Sequence, residues 1–302
     1  MAIKWIVTDM DGTLLDRNDK IMPMTKRCLK QCQKQGIKLI LASGRSYSRL
    51  MPYVKELEME KYGGCLIEVN GMAINHLGQG KRTIFGRLQK PDIEKLFPVL
   101  QSLDVEVQCY QDMSLYSWIP ESQIPLKEQE RKERAVPEDY PWIGGAWSWV
   151  TDSRSGYPDQ KRIYSIEEIP QELNKFGCLG APEHMERVFE ILKEKYGGTY
   201  EFVRTCPRLI EISPKGITKG KVLKRYMEQE NVKPDEVLVF GDGENDVDMF
   251  RQVTYSVAVG NAADYVKAQA YRVTAGNYEE GLAKAIPEFV ELQEDWKGVE
   301  NE

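Results

Sequence analysis

The sequence lacks any apolar run close to the roughly 20 residues that a membrane-spanning helix needs. No signal peptide is expected either, because Lys4 is followed by only a short apolar stretch before Asp9 and Asp11. Excess positive charge is also missing: the net charge is −6 at pH 7, which argues against a dedicated nucleic-acid binder. We therefore expect a cytoplasmic protein that binds neither membranes nor nucleic acids.

Cysteine pairs with metal-binding spacing are absent as well. The six cysteines are scattered and no CxxC pair occurs, so a zinc site has little support. Only Cys28 and Cys32 are close, and their spacing places both on one face of a helix. We expect buried free thiols in a reducing compartment.

The two ends of the chain share one pattern, in which short apolar runs alternate with helical segments. This alternation predicts parallel βαβ units and an α/β, Rossmann-like core. The predicted strands cover residues 3–8, 37–42, 66–69, 237–240 and 255–259. The predicted helices cover residues 25–35, about 46–58 and 219–230, and a further one starts near Asn245. Ligands bind such sheets beyond the carboxyl ends of the strands.

The middle of the chain is less regular and mixes short alternating strands with helices. With 302 residues there is room for two domains, so we predict an α+β domain inserted at 86–212, and a core formed by 1–85 and 213–302. The tryptophan-rich stretch 142–149 is expected to pack within the insert. The segment 127–134 mixes both charge signs and predicts an exposed helical face. The acidic tail after Leu292 is expected to fray.

Two carboxylates, Asp9 and Asp11, follow the first predicted strand. They would repel each other unless a cation or hydrogen bonds compensated their charge. A hard divalent cation such as Mg²⁺ prefers oxygen ligands and also bridges to phosphate groups. A second acidic loop, Gly-Asp-Gly-Glu-Asn-Asp at 241–246, follows another apolar strand, so Asp242 can complete the same site if the two strands are neighbours. Helix capping explains one of these acids but not all of them.

Two further residues have less specific sequence signals. Ser43 ends another predicted strand, where its hydroxyl and nearby backbone N–H groups can hold a phosphoryl oxygen or simply cap a helix. Lys219 can neutralise a phosphoryl oxygen or lie on the surface. A Walker loop does not fit the glycine-lysine run around it, because Val222 occupies the position that requires Ser or Thr.

Taken in order, these motifs resemble those of the haloacid dehalogenase superfamily: Asp-Met-Asp-Gly-Thr at 9–13, Ser-Gly-Arg at 43–45, Lys219, and the acidic loop at 241–246. Asn70-Gly71 and the insertion between the second and third motifs resemble the Cof-type phosphatases with a C2-class (C2B-like) cap. The resemblance spans nearly the whole chain. It implies an enzyme that hydrolyses phosphate monoesters of small metabolites, sugar phosphates or similar, with Mg²⁺ as cofactor and the insert as a substrate-selecting cap.

The resemblance also implies a role for each matching residue. Asp9 is the nucleophile, and Asp11 is the general acid and base. Mg²⁺ is bound by the carboxylates of Asp9 and Asp242 and by the backbone carbonyl of Asp11. The remaining positions hold phosphate or support the site: Ser43, Gly44, Arg45 and Lys219 at the phosphate, and Asn70, Asn245 and Asp246 in support. For Arg45, a salt bridge at the domain border remains an alternative.

Two other functions remain open from the sequence. A phosphomutase shares the aspartyl-phosphate step and returns the phosphoryl group to a sugar. A non-catalytic sensor of phosphorylated metabolites can use the same fold, since fold alone does not define function. We expect a monomer or a weak homo-oligomer.

Overall fold

The structure is a computed structural model that describes residues 2–292, so the predicted fraying of the tail after Leu292 lies outside the described residues. The chain divides into two compact units. One unit, the core, is formed by the residues up to Phe85 and from Thr218 onward; the other, the insert, is Gly86–Ile217. None of the described helices combines the length and the apolar character that crossing a membrane requires.

The core is built from two stretches of chain. The stretch before the insert contains β1 (Trp5–Thr8), α1 (Pro23–Lys34), β2 (Lys38–Ala42), α2 (Tyr47–Glu56), β3 (Cys65–Glu68), β4 (Ala73–His76) and β5 (Lys81–Ile84). The insert contains β6 (Leu88–Gln89), α3 (Lys90–Ser102), β7 (Glu106–Tyr110), β8 (Ser114–Trp118), α4 (Ile124–Glu133), β9 (Asp159–Arg162), β10 (Glu172–Leu173), β11 (Lys175–Leu179), α5 (Pro182–Tyr196), β12 (Tyr200–Cys206) and β13 (Leu209–Pro214). The stretch after it contains α6 (Lys219–Glu230), β14 (Val237–Gly241), α7 (Glu244–Phe250), β15 (Tyr255–Ala258), α8 (Asp264–Lys267), β16 (Arg272–Val273) and α9 (Gly281–Ala285).

Among the described residues, the core strands form one sheet in the order β16-β15-β14-β1-β2-β3-β4-β5. The pairs from β16 to β3 are parallel, and β4 and β5 continue the sheet antiparallel. The central strand β1 pairs with β14 on one side and β2 on the other, in register from Trp5 to Thr8. The carboxyl ends of β1, β2, β3 and β14 therefore meet at one edge, as expected for ligand binding by such a sheet.

Helices cover both faces of the central part of this sheet, which explains why β1, β2, β3 and β14 are largely apolar. Ile6 and the residues aligned with it pack against α1, α2 and α9. Trp5 and Val7 point the other way and pack against α6, α7 and α8. Successive side chains of a strand alternate between faces, so a continuous apolar run fills both layers.

The insert is an α+β unit with its own core. Its main sheet has the order β12-β13-β11-β7-β8-β9 among the described residues. Apolar side chains on one face of this sheet, such as Val107 and Phe176, pack against α3 and α5. The insert begins near the predicted position, but it ends at Ile217 rather than at 212. The difference arises because β13 runs to Pro214 and pairs with β12 inside the insert.

Two predictions about the insert need correction. Lys127 was expected on an exposed helical face, but it is buried and its ammonium lies 2.6 Å from Glu106 and 2.6 Å from the carbonyl oxygen of Trp149. These partners compensate a charge that would otherwise be costly to bury. The tryptophan-rich stretch packs only in part: Ile143 is buried, whereas Trp147 is 83% exposed.

Candidate active site

Asp9 lies directly after β1, at the carboxyl edge of the core sheet. Its backbone N–H donates to the carbonyl oxygen of Phe240, so the β1–β14 ladder extends to the carboxylate itself. Gly12, three residues later, has φ +83°, and a side chain at this position would collide with the carboxylate of Asp242. Glycine tolerates this backbone conformation and leaves room for the second acidic loop to approach. The chain thus turns sharply just beyond Asp9.

Three aspartates converge at this edge. Asp9, Asp242 and Asp246 each place one carboxylate oxygen within 4.8 Å of the others. Burial raises the pKa of Asp9 well above its ordinary value, and the charge of Asp246 raises it further. Burial and the charge of Asp246 also raise the pKa of Asp242, to about 6. Such crowded, buried oxygen ligands fit a hard divalent cation.

Lys219 lies on the inner side of this cluster, at the first position of α6. Its side chain is fully buried, and its ammonium donates to Asp9 Oδ1 at 2.6 Å and to Asp246 Oδ1 at 2.8 Å. Burial lowers the pKa of Lys219, but the charges of Asp246 and Asp9 outweigh that effect and raise it above its ordinary value. Lys219 is therefore a permanent cation beside the Asp9 carboxylate, and not the surface lysine of the alternative interpretation.

The second acidic loop is held in place by its own aspartate. Asp246 Oδ2 accepts the backbone N–H groups of Asp242 and Gly243, both at 3.0 Å. Thr13 donates its hydroxyl to Asp242 Oδ1 at 2.6 Å. Thr13 thereby joins the two acidic loops. Asp246 was predicted to support the site. In the structure it contacts Lys219 and also belongs to the three-aspartate cluster.

Ser43 follows β2 and is completely buried. Its backbone N–H donates to Ile67 and its carbonyl oxygen accepts from Asn70, which ties the loop to the end of β3. Its hydroxyl oxygen accepts the backbone N–H of Arg45 at 3.1 Å. Gly44, between them, is half-buried. The Ser43 hydroxyl thus lies in a loop fixed by two neighbouring strands.

The helix that follows this loop is capped from another strand. The side chain of Ser46, which precedes α2, makes no capping hydrogen bond. Instead the buried carboxylate of Glu68 accepts the backbone N–H of Tyr47 at 2.8 Å. Glu68 is also paired with Arg82 at 2.7 Å. This long-range cap sets the direction in which the chain leaves the Ser43 loop.

Arg45 contacts carboxylates in this structure. Its Nε donates to Asp11 Oδ2 at 2.9 Å, and its Nη2 contacts the other oxygen of Asp11 and lies 2.6 Å from Asp19. The Asp11 side chain is 57% exposed and is not part of the three-aspartate cluster. Of the two roles left open for Arg45, the structure contains the salt bridge, and it lies within the core unit.

Asn70 and Asn245 bring the two halves of the site together. Asn245 Nδ2 donates to Asn70 Oδ1 at 3.2 Å. Val69 has φ 49° and Asn70 has φ 53°, so two consecutive residues after β3 have left-handed backbone conformation. Left-handed backbone at a β-branched residue such as Val69 is strained and is typical of functional loops.

Some contributors to the site had little sequence signal. Asn261, after β15, donates to the carbonyl oxygen of Gly12 at 2.7 Å and so holds the turn beyond the nucleophile candidate. Its only signal was its place after a predicted strand. Asp19 and Tyr53, which contact Arg45, lie in a loop and a helix interior where nothing marked them.

The chain belongs to the haloacid dehalogenase-like hydrolase family, which it matches over residues 6–286. A crystal structure of a haloacid dehalogenase-like hydrolase from Bacteroides thetaiotaomicron is 25% identical, with a TM-score of 0.75, covering 95% of this chain and 99% of that one. The predicted family and fold class, an α/β parallel-sheet core with an inserted α+β domain, are therefore confirmed.

Curated relatives extend the comparison. A 5-amino-6-(5-phospho-D-ribitylamino)uracil phosphatase from Escherichia coli, YbjI, is 27% identical over 95% of this chain and 96% of its own length. A chloroplastic endoribonuclease YBEY from Arabidopsis thaliana is 27% identical over 93% of this chain, but the match spans only 46% of that protein. The chain thus corresponds to about half of the plant protein, and that protein's name carries no argument about activity here. The full-length match agrees with the prediction of a phosphatase.

Proposed function

We propose that the protein hydrolyses phosphate monoesters of small metabolites, sugar phosphates or similar compounds, through a phosphoryl group carried on Asp9. The observation that carries the proposal is the pairing of the Asp9 carboxylate with the buried ammonium of Lys219, beside Asp242 and Asp246 at the carboxyl edge of the sheet. A carboxylate held this way has one oxygen fixed by the ammonium and can attack phosphorus, while the cation beside it compensates the incoming phosphate charge.

The donor set of the site fits Mg²⁺. The carboxylates of Asp9 and Asp242 and the backbone carbonyl of Asp11 would hold the ion, with Asp246 fixing the loop that carries Asp242. The raised pKa values of Asp9 and Asp242 support this assignment, since they mark negative charge that the protein alone does not compensate. When bound, Mg²⁺ supplies positive charge next to the transferring phosphoryl group.

The protein's own residues supply the rest of the chemistry. In the first step, an Asp9 oxygen forms a bond to phosphorus, the ester P–O bond breaks, and the Asp11 carboxyl group gives its proton to the leaving oxygen. In the second step, Asp11 takes a proton from water as the water oxygen bonds to phosphorus and the Asp9–phosphorus bond breaks. Inorganic phosphate is released, and both aspartates return to their starting forms.

The phosphoryl oxygens need donors throughout both steps. Lys219 offers a fixed cation, and the Ser43 hydroxyl and the N–H of Gly44 lie in a loop tied to β3. These groups are held before substrate arrives, so little reorganisation accompanies the reaction.

The substrate class rests on two observations. The relative from Escherichia coli is named for a phosphorylated ribityl compound, a small sugar-alcohol phosphate. The chain's net charge of −6 disfavours phosphate esters within nucleic acids. A compact phosphorylated metabolite is the substrate that these features favour.

The test is phosphate release from a panel of sugar and nucleotide monophosphates, with Mg²⁺ and with excess chelator. We expect Mg²⁺-dependent release by the wild type and none above background by Asp9→Asn. Asp264→Asn is the matched control, because the Asp264 carboxylate is fully exposed and lies outside the site. Release without Mg²⁺, or an Asp9→Asn variant as active as the control, would contradict the proposal.

Product analysis separates the alternatives. Phosphorus NMR of the reaction mixture is expected to show inorganic phosphate. An isomeric sugar phosphate in its place would favour a phosphomutase. A rise in melting temperature with phosphorylated ligands, without any turnover, would favour a sensor.

A further inference from the structure

The guanidinium group of Arg45 is held by contacts to three side chains and is largely buried. Its side chain is only 10% exposed although it lies beside two acidic side chains that are largely open to solvent. Its Nε and Nη2 contact both oxygens of Asp11, Nη2 also contacts Asp19, and Nη1 donates to the hydroxyl of Tyr53 at 3.2 Å. Each nitrogen of the guanidinium group thus has a partner inside the core unit.

Tyr53 and Asp19, which contact Arg45 in addition to Asp11, are themselves fixed by hydrogen bonds. The Tyr53 hydroxyl donates to the backbone carbonyl of Asp19 at 3.1 Å, which links α2 to the turn that carries Asp19. In that turn, Asp16 accepts the backbone N–H groups of Asn18 and Lys20 at 2.7 and 2.9 Å. Asp19 itself has φ 57°, a left-handed step that fixes the direction of its side chain. Arg45 therefore contacts a turn and a helix that are hydrogen-bonded to each other.

The Asp11 side chain, unlike that of Arg45, is largely open to solvent. More than half of it is exposed, and it lies outside the cluster of Asp9, Asp242 and Asp246. An exposed aspartate normally samples several rotamers, which costs precision when it must deliver a proton to one oxygen. A two-point contact with a planar guanidinium fixes both the position and the plane of a carboxylate.

From this geometry we infer that Arg45, supported by Asp19 and Tyr53, positions the Asp11 carboxylate for proton transfer to the leaving group and does not bind the substrate phosphate. To reach a phosphate oxygen, Arg45 would have to release Asp11, and two carboxylates already compensate its charge. The inference rests on the proposed function, because it assigns a role within that reaction. Arg45 is thus a positioning residue that acts through Asp11.

The leaving group provides a readout that separates this role from phosphate binding. A p-nitrophenolate leaves without a proton, whereas the alkoxide of a sugar or glycerol phosphate needs one. Because Asp11 also acts in the second step, which both substrates share, the comparison uses kcat/KM, which reports only the steps up to release of the leaving group. We expect Arg45→Met to lower kcat/KM for an alkyl phosphate by about 10²-fold or more, with a much smaller loss for p-nitrophenyl phosphate and little change in either KM. Equal losses on both substrates with a raised KM would overturn the inference in favour of phosphate binding.

Further variants sharpen the test. Arg45→Lys keeps the charge but loses the two-point contact, so it is expected to show the same selective loss even if Arg45→Met folds poorly. Asp19→Asn should give a smaller loss of the same kind; unchanged kinetics would contradict the supporting role of Asp19. Arg49→Met, a nearby arginine on α2 outside the network, is the matched control.

A double-mutant cycle tests whether Arg45 acts through Asp11. If it does, adding Arg45→Met to Asp11→Asn lowers kcat for the alkyl phosphate little further. Losses that multiply would show that Arg45 works independently of Asp11 and would overturn the inference. If the wild type released phosphate from neither substrate with Mg²⁺, the proposed function itself would fail, a result distinct from every outcome above.

Discussion

Lys219 and Asp9 form an ion pair of 2.6 Å in which the lysine side chain has no exposed surface and that of the aspartate has 8%. The two residues are 210 positions apart in the sequence and are brought together by β1 and the first turn of α6. A buried pair of this kind is costly to desolvate and is stable only with well-placed partners. Here the partner is Asp246, which binds the same ammonium.

The first prediction concerns this cation. Lys219→Met is expected to lower phosphatase activity by about 10²–10³-fold, because the phosphoryl group loses a fixed donor. It should also lower the free energy of unfolding by about 3–5 kcal/mol, since Asp9 and Asp246 lose their counter-charge. Steady-state kinetics and chemical denaturation measure the two effects.

The matched control for this variant is Lys224→Met, at an exposed position on the same helix. This variant removes the same side-chain charge at a position outside the site. If the two variants had similar activity, Lys219 would have no direct part in the reaction.

The second prediction concerns pH and Mg²⁺. Burial and Asp246 raise the pKa of Asp242 to about 6, whereas an unfolded aspartate titrates near about 4. Between these values the folded protein holds a proton that the unfolded chain has released. The free energy of unfolding of the metal-free protein therefore receives a contribution from Asp242 that falls as the pH rises from about 4 to about 6.

Mg²⁺ would compete with that proton. We expect the rise in melting temperature on adding Mg²⁺ to be small at pH 5 and clearly larger at pH 7.5. In Asp242→Asn both the pH-dependent contribution and most of the Mg²⁺ effect should be lost. A Mg²⁺ effect of the same size at both pH values would be inconsistent with ligation by these carboxylates.

The third prediction concerns the insert. Lys127→Met leaves the buried Glu106 without its cation and is expected to reduce the free energy of unfolding by about 3–5 kcal/mol. The double variant Glu106→Gln/Lys127→Met should reduce the free energy of unfolding by less, because neither member of the buried ion pair is left charged. Denaturation followed by tryptophan fluorescence measures both.

An exposed lysine on the same helix, Lys132, supplies the control for this pair. Lys132→Met is expected to change stability by less than about 0.5 kcal/mol. A double variant as unstable as Lys127→Met alone would show that the cost lies in lost packing rather than in an unpaired charge.

Sequence patterns predicted the elements that position the site well. Helix α6 begins at Lys219 and ends at Glu230 as expected. The five predicted core strands also lie within a residue or two of the predicted positions, because apolar runs bounded by turns are strong local signals. The edge strands β4, β5 and β16 were not predicted. The sequence left open whether the strands before Asp9 and Asp242 are neighbours, and the pairing of β1 with β14 makes them so.

What the sequence could not predict depends on contacts between distant residues. Lys127 looked like a surface residue because its partner Glu106 lies 21 positions away on a separate strand. Asp19 had no signal at all, since its role follows from the position of Arg45 in three dimensions. The insert ends later in the sequence than predicted, because strand pairing rather than composition determines where β13 ends.

The position of β1 between β2 and β14 has a consequence for how the protein becomes active during synthesis. The ribosome makes Asp9 before the insert, but β14 emerges only after the whole insert has been made. Until then β1 has one open edge, and neither Lys219 nor Asp242 exists to complete the site. A nascent chain therefore carries Asp9 without its site partners throughout the synthesis of the insert.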